Sequence, residues 1–264
     1  RDYIDNINIP SEVYINALSV LSFYYWTAGD LDTAKKFIEK LLSLKEISPN
    51  QEALFVFRMA GVLSDGGYFK ESNNHIENYL NNNKIDQPKI NILGSEYQIL
   101  PAILAIKARN LSYLGEMDDF HSLAEYIQSI LKNDFSLSDI LARCFIADAY
   151  LAAQNYRKAL DISSDAARIA NKNNLTTLNP FIFTILGFSK CMLGDKTGLH
   201  FIHKSIQAAE LDKRYSRLGL YYLYYMKASK KISPSLTHTR YKKRALSLAQ
   251  KNGERWIENE LKIL

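Results

Sequence analysis

The feature that most limits what this chain can fold into is a short phrase that returns along its length. In its clearest copy it reads Trp26-Thr27-Ala28-Gly29-Asp30-Leu31-Asp32-Thr33-Ala34, an apolar helix end, a glycine turn and a second helix opening near a small residue. Related phrases are Asp65-Gly66-Gly67-Tyr68-Phe69-Lys70-Glu71-Ser72 and Leu114-Gly115-Glu116-Met117-Asp118-Asp119-Phe120. Two more are Gln154-Asn155-Tyr156-Arg157-Lys158-Ala159 and Leu193-Gly194-Asp195-Lys196-Thr197-Gly198-Leu199. The turn positions 29, 67, 115, 154 and 194 are 38, 48, 39 and 40 residues apart. Each interval holds two helices of about 12 to 18 residues with short connections. Gly29, Gly67, Gly115 and Gly194 suit the left-handed residue that ends a helix, and Asp30 or Asp195 suits the cap of the next.

Between the turns, apolar residues recur at steps of three and four. Leu18, Leu21 and Tyr25 do so before the first turn, Leu104, Ala108 and Leu111 before the third, and Ile146, Ala147 and Tyr150 before the fourth. After the turns, Phe37, Ile38, Leu41 and Leu42 repeat the pattern, as do Ile162, Ala166 and Ile169. This is the period of amphipathic helices, not the alternation of strands. Only 11 Gly and 6 Pro in 264 residues also argue against a fold made of many tight β-turns. A sixth pair follows over about 213–250, with Leu218, Gly219 and Tyr222 on one face and an atypical turn, Ile232-Ser233-Pro234-Ser235, in which Ser233 caps and Pro234 opens the next helix. Residues 254–264 then place Trp256, Ile257 and Leu261 as a cap on the exposed end of the stack.

Taken together, the pattern predicts one all-α domain over residues 1–264, an α-solenoid of about six antiparallel helix pairs. The pairs fall at about 12–46, 52–82, 89–132, 138–174, 179–210 and 213–250, with a short capping helix at 254–264. The phrases resemble those of the tetratricopeptide repeat (TPR) family. Leu186-Gly187 and Leu218-Gly219-x-x-Tyr222 match its first-helix motif, and Ala34 and Ala159 match the small residue that opens its second helix. Phe120 and Leu199 are large where that family has a small residue, and the intervals exceed its usual 34. Longer repeats of this kind resemble the sensor arms of bacterial signalling and transcriptional regulators, including the maltose-operon activator. The closing stretch 245–256 is similar to the ends of those arms.

The resemblance implies a right-handed superhelix whose first helices line a concave groove. Projected onto this sequence, the groove residues are Phe23, Trp26, Phe57, Arg109, Tyr113, Asp148, Phe188 and Tyr224. Aromatic rings with a few charges suit a peptide, a partner domain or a small polar effector. The charge is uneven. Residues 190–264 hold 16 Lys/Arg against 6 Asp/Glu (+10), and residues 1–189 hold 17 against 22 (−5). Lys227, Lys230, Lys231, Arg240, Lys242, Lys243 and Arg244 concentrate that charge, so a nucleic-acid surface at the C-terminal end is the alternative reading.

Chemistry finds no support in the sequence. Cys144 and Cys191 sit alone in apolar helices, where cysteines are inert packing residues and no disulfide framework is expected. His200 and His203 are one helical turn apart but lack further metal ligands nearby, and no phosphate-binding glycine motif is present. The expectation is a non-catalytic module without metal or cofactor, working in the cytoplasm. No run of about 18 apolar residues is long enough to span a membrane. The chain opens on Arg1, read as a segment excised from a longer regulator.

Overall fold

The computed structural model describes residues 11–45, 47–82, 89–92, 95–131, 137–233 and 238–264. Within them the helices pair in sequence. The pairs are α1 (Ser11–Thr27) with α2 (Leu31–Leu42), α3 (Pro49–Gly66) with α4 (Phe69–Asn82), α5 (Leu100–Leu114) with α6 (Met117–Ile130), α7 (Leu137–Ala152) with α8 (Tyr156–Lys172), α9 (Asn179–Met192) with α10 (Gly198–Leu211), and α11 (Leu218–Ile232) with α12 (Thr239–Asn252). A last helix, α13, runs from Arg255 to Ile263.

The turn chemistry read from the sequence is what closes the pairs. Gly29, Gly67, Gly115 and Gly194 all have positive φ, and Gln154 takes the same left-handed role without being glycine. Asp30 Oδ1 accepts from the Thr33 amide at 3.0 Å, and Asn155 Oδ1 accepts from the Lys158 amide at 3.2 Å. Those two bonds cap α2 and α8. Asp195 instead accepts from the amide and the hydroxyl of Thr197 and pairs with Lys190 at 2.7 Å. These hydrogen bonds, that from Lys190 foremost, hold its carboxyl down at about 2.

First and second helices differ in how they are buried. The strongly amphipathic second helices bury one stripe, such as Ala34, Ile38 and Leu41 on α2. The first helices α3, α5, α7 and α9 are buried almost all round because they pack on one another as well as on their partners. Close crossings fall where small residues stand. Ala34 and Ala159 are fully buried, and the buried Ser72 Oγ donates to the Ala60 carbonyl at 2.9 Å. In the fifth pair the small residue is Gly198 rather than Leu199: a Cβ at Gly198 would lie 2.1 Å from the Gly187 carbonyl oxygen. Phe120, large where the family pattern is small, is buried and meets the Tyr150 ring edge-on at 4.9 Å.

Two expectations are corrected here. Within 89–98, assigned to the start of the third pair, the described residues form two antiparallel strands, β1 (Lys89–Ile92) and β2 (Ser95–Gln98), and α5 begins only at Leu100. Ser233 does not cap α12; it closes α11, its amide donating to the Ser229 carbonyl. Pro234 and Ser235 lie outside the described residues.

The stack also winds far enough for its ends to meet. The Ser216 amide donates to the Thr27 carbonyl at 3.2 Å, and a Cβ at Gly29 would collide with the Asn252 side chain at 2.6 Å. Residues at the edges of the sixth pair thereby meet the end of α1 and the turn after it.

Candidate functional site

Where the ends meet, the inner helices bury a charged network. Arg109 on α5 donates from Nε to Asp148 Oδ2 at 2.7 Å, and from one terminal nitrogen to Ser64 Oγ at 2.6 Å and Asp65 Oδ1 at 3.2 Å. Arg217, in a left-handed conformation just before α11, places Nε 3.1 Å from both Asp65 oxygens. Its guanidinium lies over the Phe181 ring at 4.4 Å and the Phe145 ring at 5.0 Å. The Trp26 indole donates to Asp65 Oδ2 at 3.0 Å, and the Trp256 indole donates to the Asp65 carbonyl at 3.1 Å. Asp65 thus ties α1, α5, α11 and α13 to the end of α3.

Burial sets the protonation of this cluster. Arg109 is 1% exposed; desolvation opposes its charge, but Asp148 and Asp65 outweigh it and hold the guanidinium pKa above its usual value. Glu254, also 1% exposed, is pushed up to about 8, first by burial and then by the negative charge of Asp65. Near neutral pH it therefore holds its proton, leaving Asp65 and Asp148 to face Arg109 and Arg217.

Beside the network, joined to it through Tyr224 and Trp256, lies a cleft of about 600 Å³. The Tyr224 hydroxyl donates to Asp148 Oδ1 at 2.8 Å, so the 3.2 Å contact with Tyr113 has Tyr113 as donor. Burial raises both hydroxyl pKa values, keeping them protonated. Phe188 stacks on Tyr224 at 4.4 Å, and Tyr113 packs between Phe69 and Trp256, each 5.0 Å away. Tyr113, Tyr156, Phe188, Tyr224 and Trp256 give the cleft an aromatic floor, while Lys227, Lys230, Lys231 and Glu260 form a charged edge.

No protein-family model matches this sequence, and no curated protein matches it. Among solved structures, a Rap protein in complex with competence and sporulation factor superposes with a TM-score of 0.64 at 12% identity, covering 98% of this chain and 71% of its own. The fold is a TPR-like helical solenoid. A kinesin light chain of nearly identical TPR-like repeats from Podospora anserina covers 97% of this chain and 100% of its own, with 10% identity and a TM-score of 0.37.

The solenoid brings together some of the residues projected onto its groove and separates others. Tyr113, Phe188 and Tyr224 line the cleft, joined there by Lys227, Lys230 and Lys231 from the basic group. Trp26, Phe57, Arg109 and Asp148 do not line it: Trp26, Arg109 and Asp148 are held in the buried network, and Phe57 packs on Trp26. The stack winds so tightly that Arg217 and Trp256 occupy the space in front of them. Phe23 is half exposed, with Arg58 over its ring, and takes no part in the cleft. Arg240, Lys242, Lys243 and Arg244 lie on α12, which contributes nothing to the cleft, and Arg244 pairs with Glu210 at 2.6 Å. Trp256, expected as part of an end cap, turns into the cleft, while Ile257 and Leu261 are buried.

Asp65, Arg217 and Glu254 were not among the expected site residues. Asp65 reads as a turn residue beside Gly66 and Gly67; a buried acid ending an otherwise apolar helix was the signal to weigh. Among the described residues no three His, Cys, Asp or Glu side chains converge as metal ligands. Cys144 and Cys191 are buried and unpaired in a disulfide, and desolvation pushes their thiols up to about 12 and about 11. Among the described residues no helix is long and apolar enough to cross a membrane.

Proposed function

We propose that this chain is a non-catalytic, peptide-binding TPR-type module, the cytoplasmic sensing or docking arm of a bacterial signalling or transcriptional regulator. The observation that carries this reading is the cleft beside the buried network. Its volume falls in the range of about 300–1,000 Å³ of ligand pockets, too small for a folded domain and suited to a short segment. An aromatic floor supplies contact area at low entropic cost, and the ordered hydroxyls of Tyr113 and Tyr224 fix its shape. The Rap protein of the same fold was solved with competence and sporulation factor bound, which supports a ligand-binding role for such a solenoid.

The basic end fits a nucleic acid less well. Its charges divide between the cleft edge and α12, and Lys227 and Arg244 are already paired with Glu260 and Glu210. Fluorescence anisotropy of the 264-residue chain against labelled peptide pools tests the proposal. Micromolar binding by some pool, weakened at least tenfold by Tyr156→Ala or Met192→Ala at the cleft wall, is the expected outcome. Absence of binding to every pool, or binding indifferent to both substitutions, defeats it.

A further inference from the structure

The cleft edge also specifies the charge of its occupant. Resting on the peptide-binding reading above, we propose that the cleft selects an acidic peptide segment, with an apolar side chain on the Phe188–Tyr224 stack and carboxylates against Lys230 and Lys231.

Lys227, Lys230 and Lys231 are spaced three and four apart on α11, so they occupy one helix face, and all three line the cleft. Among the described residues that line the cleft, Glu260 has the one acidic side chain, and it is bonded to Lys227. Asp148, the buried acid behind the floor, is saturated by Arg109 and Tyr224. Lys230 and Lys231 are exposed and make no ion pair among the described residues. A cation in the last turn of a helix is favoured by the helix dipole. That accounts for cations at Lys230 and Lys231 in the last turn of α11, but not for their opening, with Lys227, onto a cavity that holds five aromatic rings. Low-dielectric walls concentrate the field of the unpaired pair into the cleft, where it attracts anions and repels basic segments.

The chemistry favours a peptide over a polyphosphate chain. The recognising groups are lysines, which act as point charges; no arginine fork lines the cleft to clamp phosphate oxygens in two places. The aromatic-floored cleft, about 600 Å³ in volume and bordered by Leu264, suits one or two apolar side chains rather than a continuous strand of bases.

The test uses the full chain and three pools of fluorescein-labelled hexapeptides. Each pool carries a fixed Phe at the third position, and the remaining positions draw from Asp and Glu, from Ser, Asn and Gln, or from Lys and Arg. A labelled single-stranded oligonucleotide is run beside them. The acidic pool is expected to bind at least tenfold more tightly than the neutral pool, with affinity falling severalfold between 50 and 500 mM salt (order-of-magnitude estimates). Lys230→Gln with Lys231→Gln is expected to bring the acidic pool to within about twofold of the neutral pool. The same pair of changes at Lys242 and Lys243 on α12, outside the cleft, is expected to leave the preference intact. Equal binding of the acidic and neutral pools, or tighter binding of the basic pool, overturns the acidic preference and leaves the peptide reading standing. Oligonucleotide binding that depends on Lys230 and Lys231 also overturns it, in favour of a nucleic-acid ligand. No binding by any pool defeats the peptide reading itself.

Discussion

Glu254 makes stability fall as pH rises through neutrality. Its carboxyl precedes α13 at 1% exposure, and Oε1 accepts from the Arg217 amide at 3.2 Å. Desolvation first, and the nearby Asp65 second, push it from 4.5 to about 8. A carboxyl whose folded pKa is raised contributes stability that is complete below the unfolded value and lost as pH rises through the folded one. The window is therefore pH 4.5 to about 8. Each tenfold change in proton affinity is worth about 1.4 kcal/mol, so full ionisation costs at most about 5 kcal/mol. His238 works in the opposite sense, since burial lowers its pKa and its stabilising effect is lost as pH falls. Comparison between pH 7 and pH 9 isolates Glu254 from it. Urea unfolding followed by tryptophan fluorescence, with Trp26 and Trp256 as the two reporters, measures the difference. The parent is expected to lose about 1.4 kcal/mol more than Glu254→Gln across that interval, because only the last tenfold of the window, from pH 7 to about 8, falls within it, and the variant is the more stable protein at pH 9. A parent that is equally stable at both values, or a variant less stable at pH 9, refutes the reasoning.

Arg109→Ala leaves Asp65 and Asp148 buried without their shared cation and is expected to cost about 3–5 kcal/mol in urea unfolding. Arg109→Lys should recover only part of that loss, because one ammonium cannot reproduce the fork to Asp148, Ser64 and Asp65. Tyr113→Phe removes the donor to Tyr224 and is expected to cost about 1 kcal/mol with the cleft otherwise intact, measured the same way. Gly198→Ala sets a Cβ 2.1 Å from the Gly187 carbonyl oxygen and 2.7 Å from Cys191 Sγ, so it should destabilise by about 3 kcal/mol or more by forcing α9 and α10 apart.

The helix pairs were legible because each is specified locally. A glycine able to take positive φ, a capping Asp30 or Asn155 and a small Ala34 or Ala159 act within a few residues of one another. The strand pair within 89–98 was hidden inside an interval of 48 residues. That interval exceeds its neighbours by eight to ten, and 89–98 is a span of ten. Insertions of this kind leave the helical period on either side unchanged, so the spacing was the one signal. The candidate site was less legible because it depends on winding accumulated over the whole stack. Arg217 reaches Asp65 across 152 positions and Trp256 reaches it across 191, distances over which no local pattern operates. Of the residues projected from the first helices, Tyr113, Phe188 and Tyr224 line the cleft, whereas Trp26, Arg109 and Asp148 lie in the buried network that the C-terminal end reaches.

A crystal structure of the chain with the tightest-binding acidic hexapeptide tests the account most directly. The expected result is a peptide whose Phe lies on the Phe188–Tyr224 stack, with a carboxylate within hydrogen-bonding distance of Lys230 or Lys231. A peptide seated on α12 or along α1, with the cleft beside Trp256 empty, would contradict it.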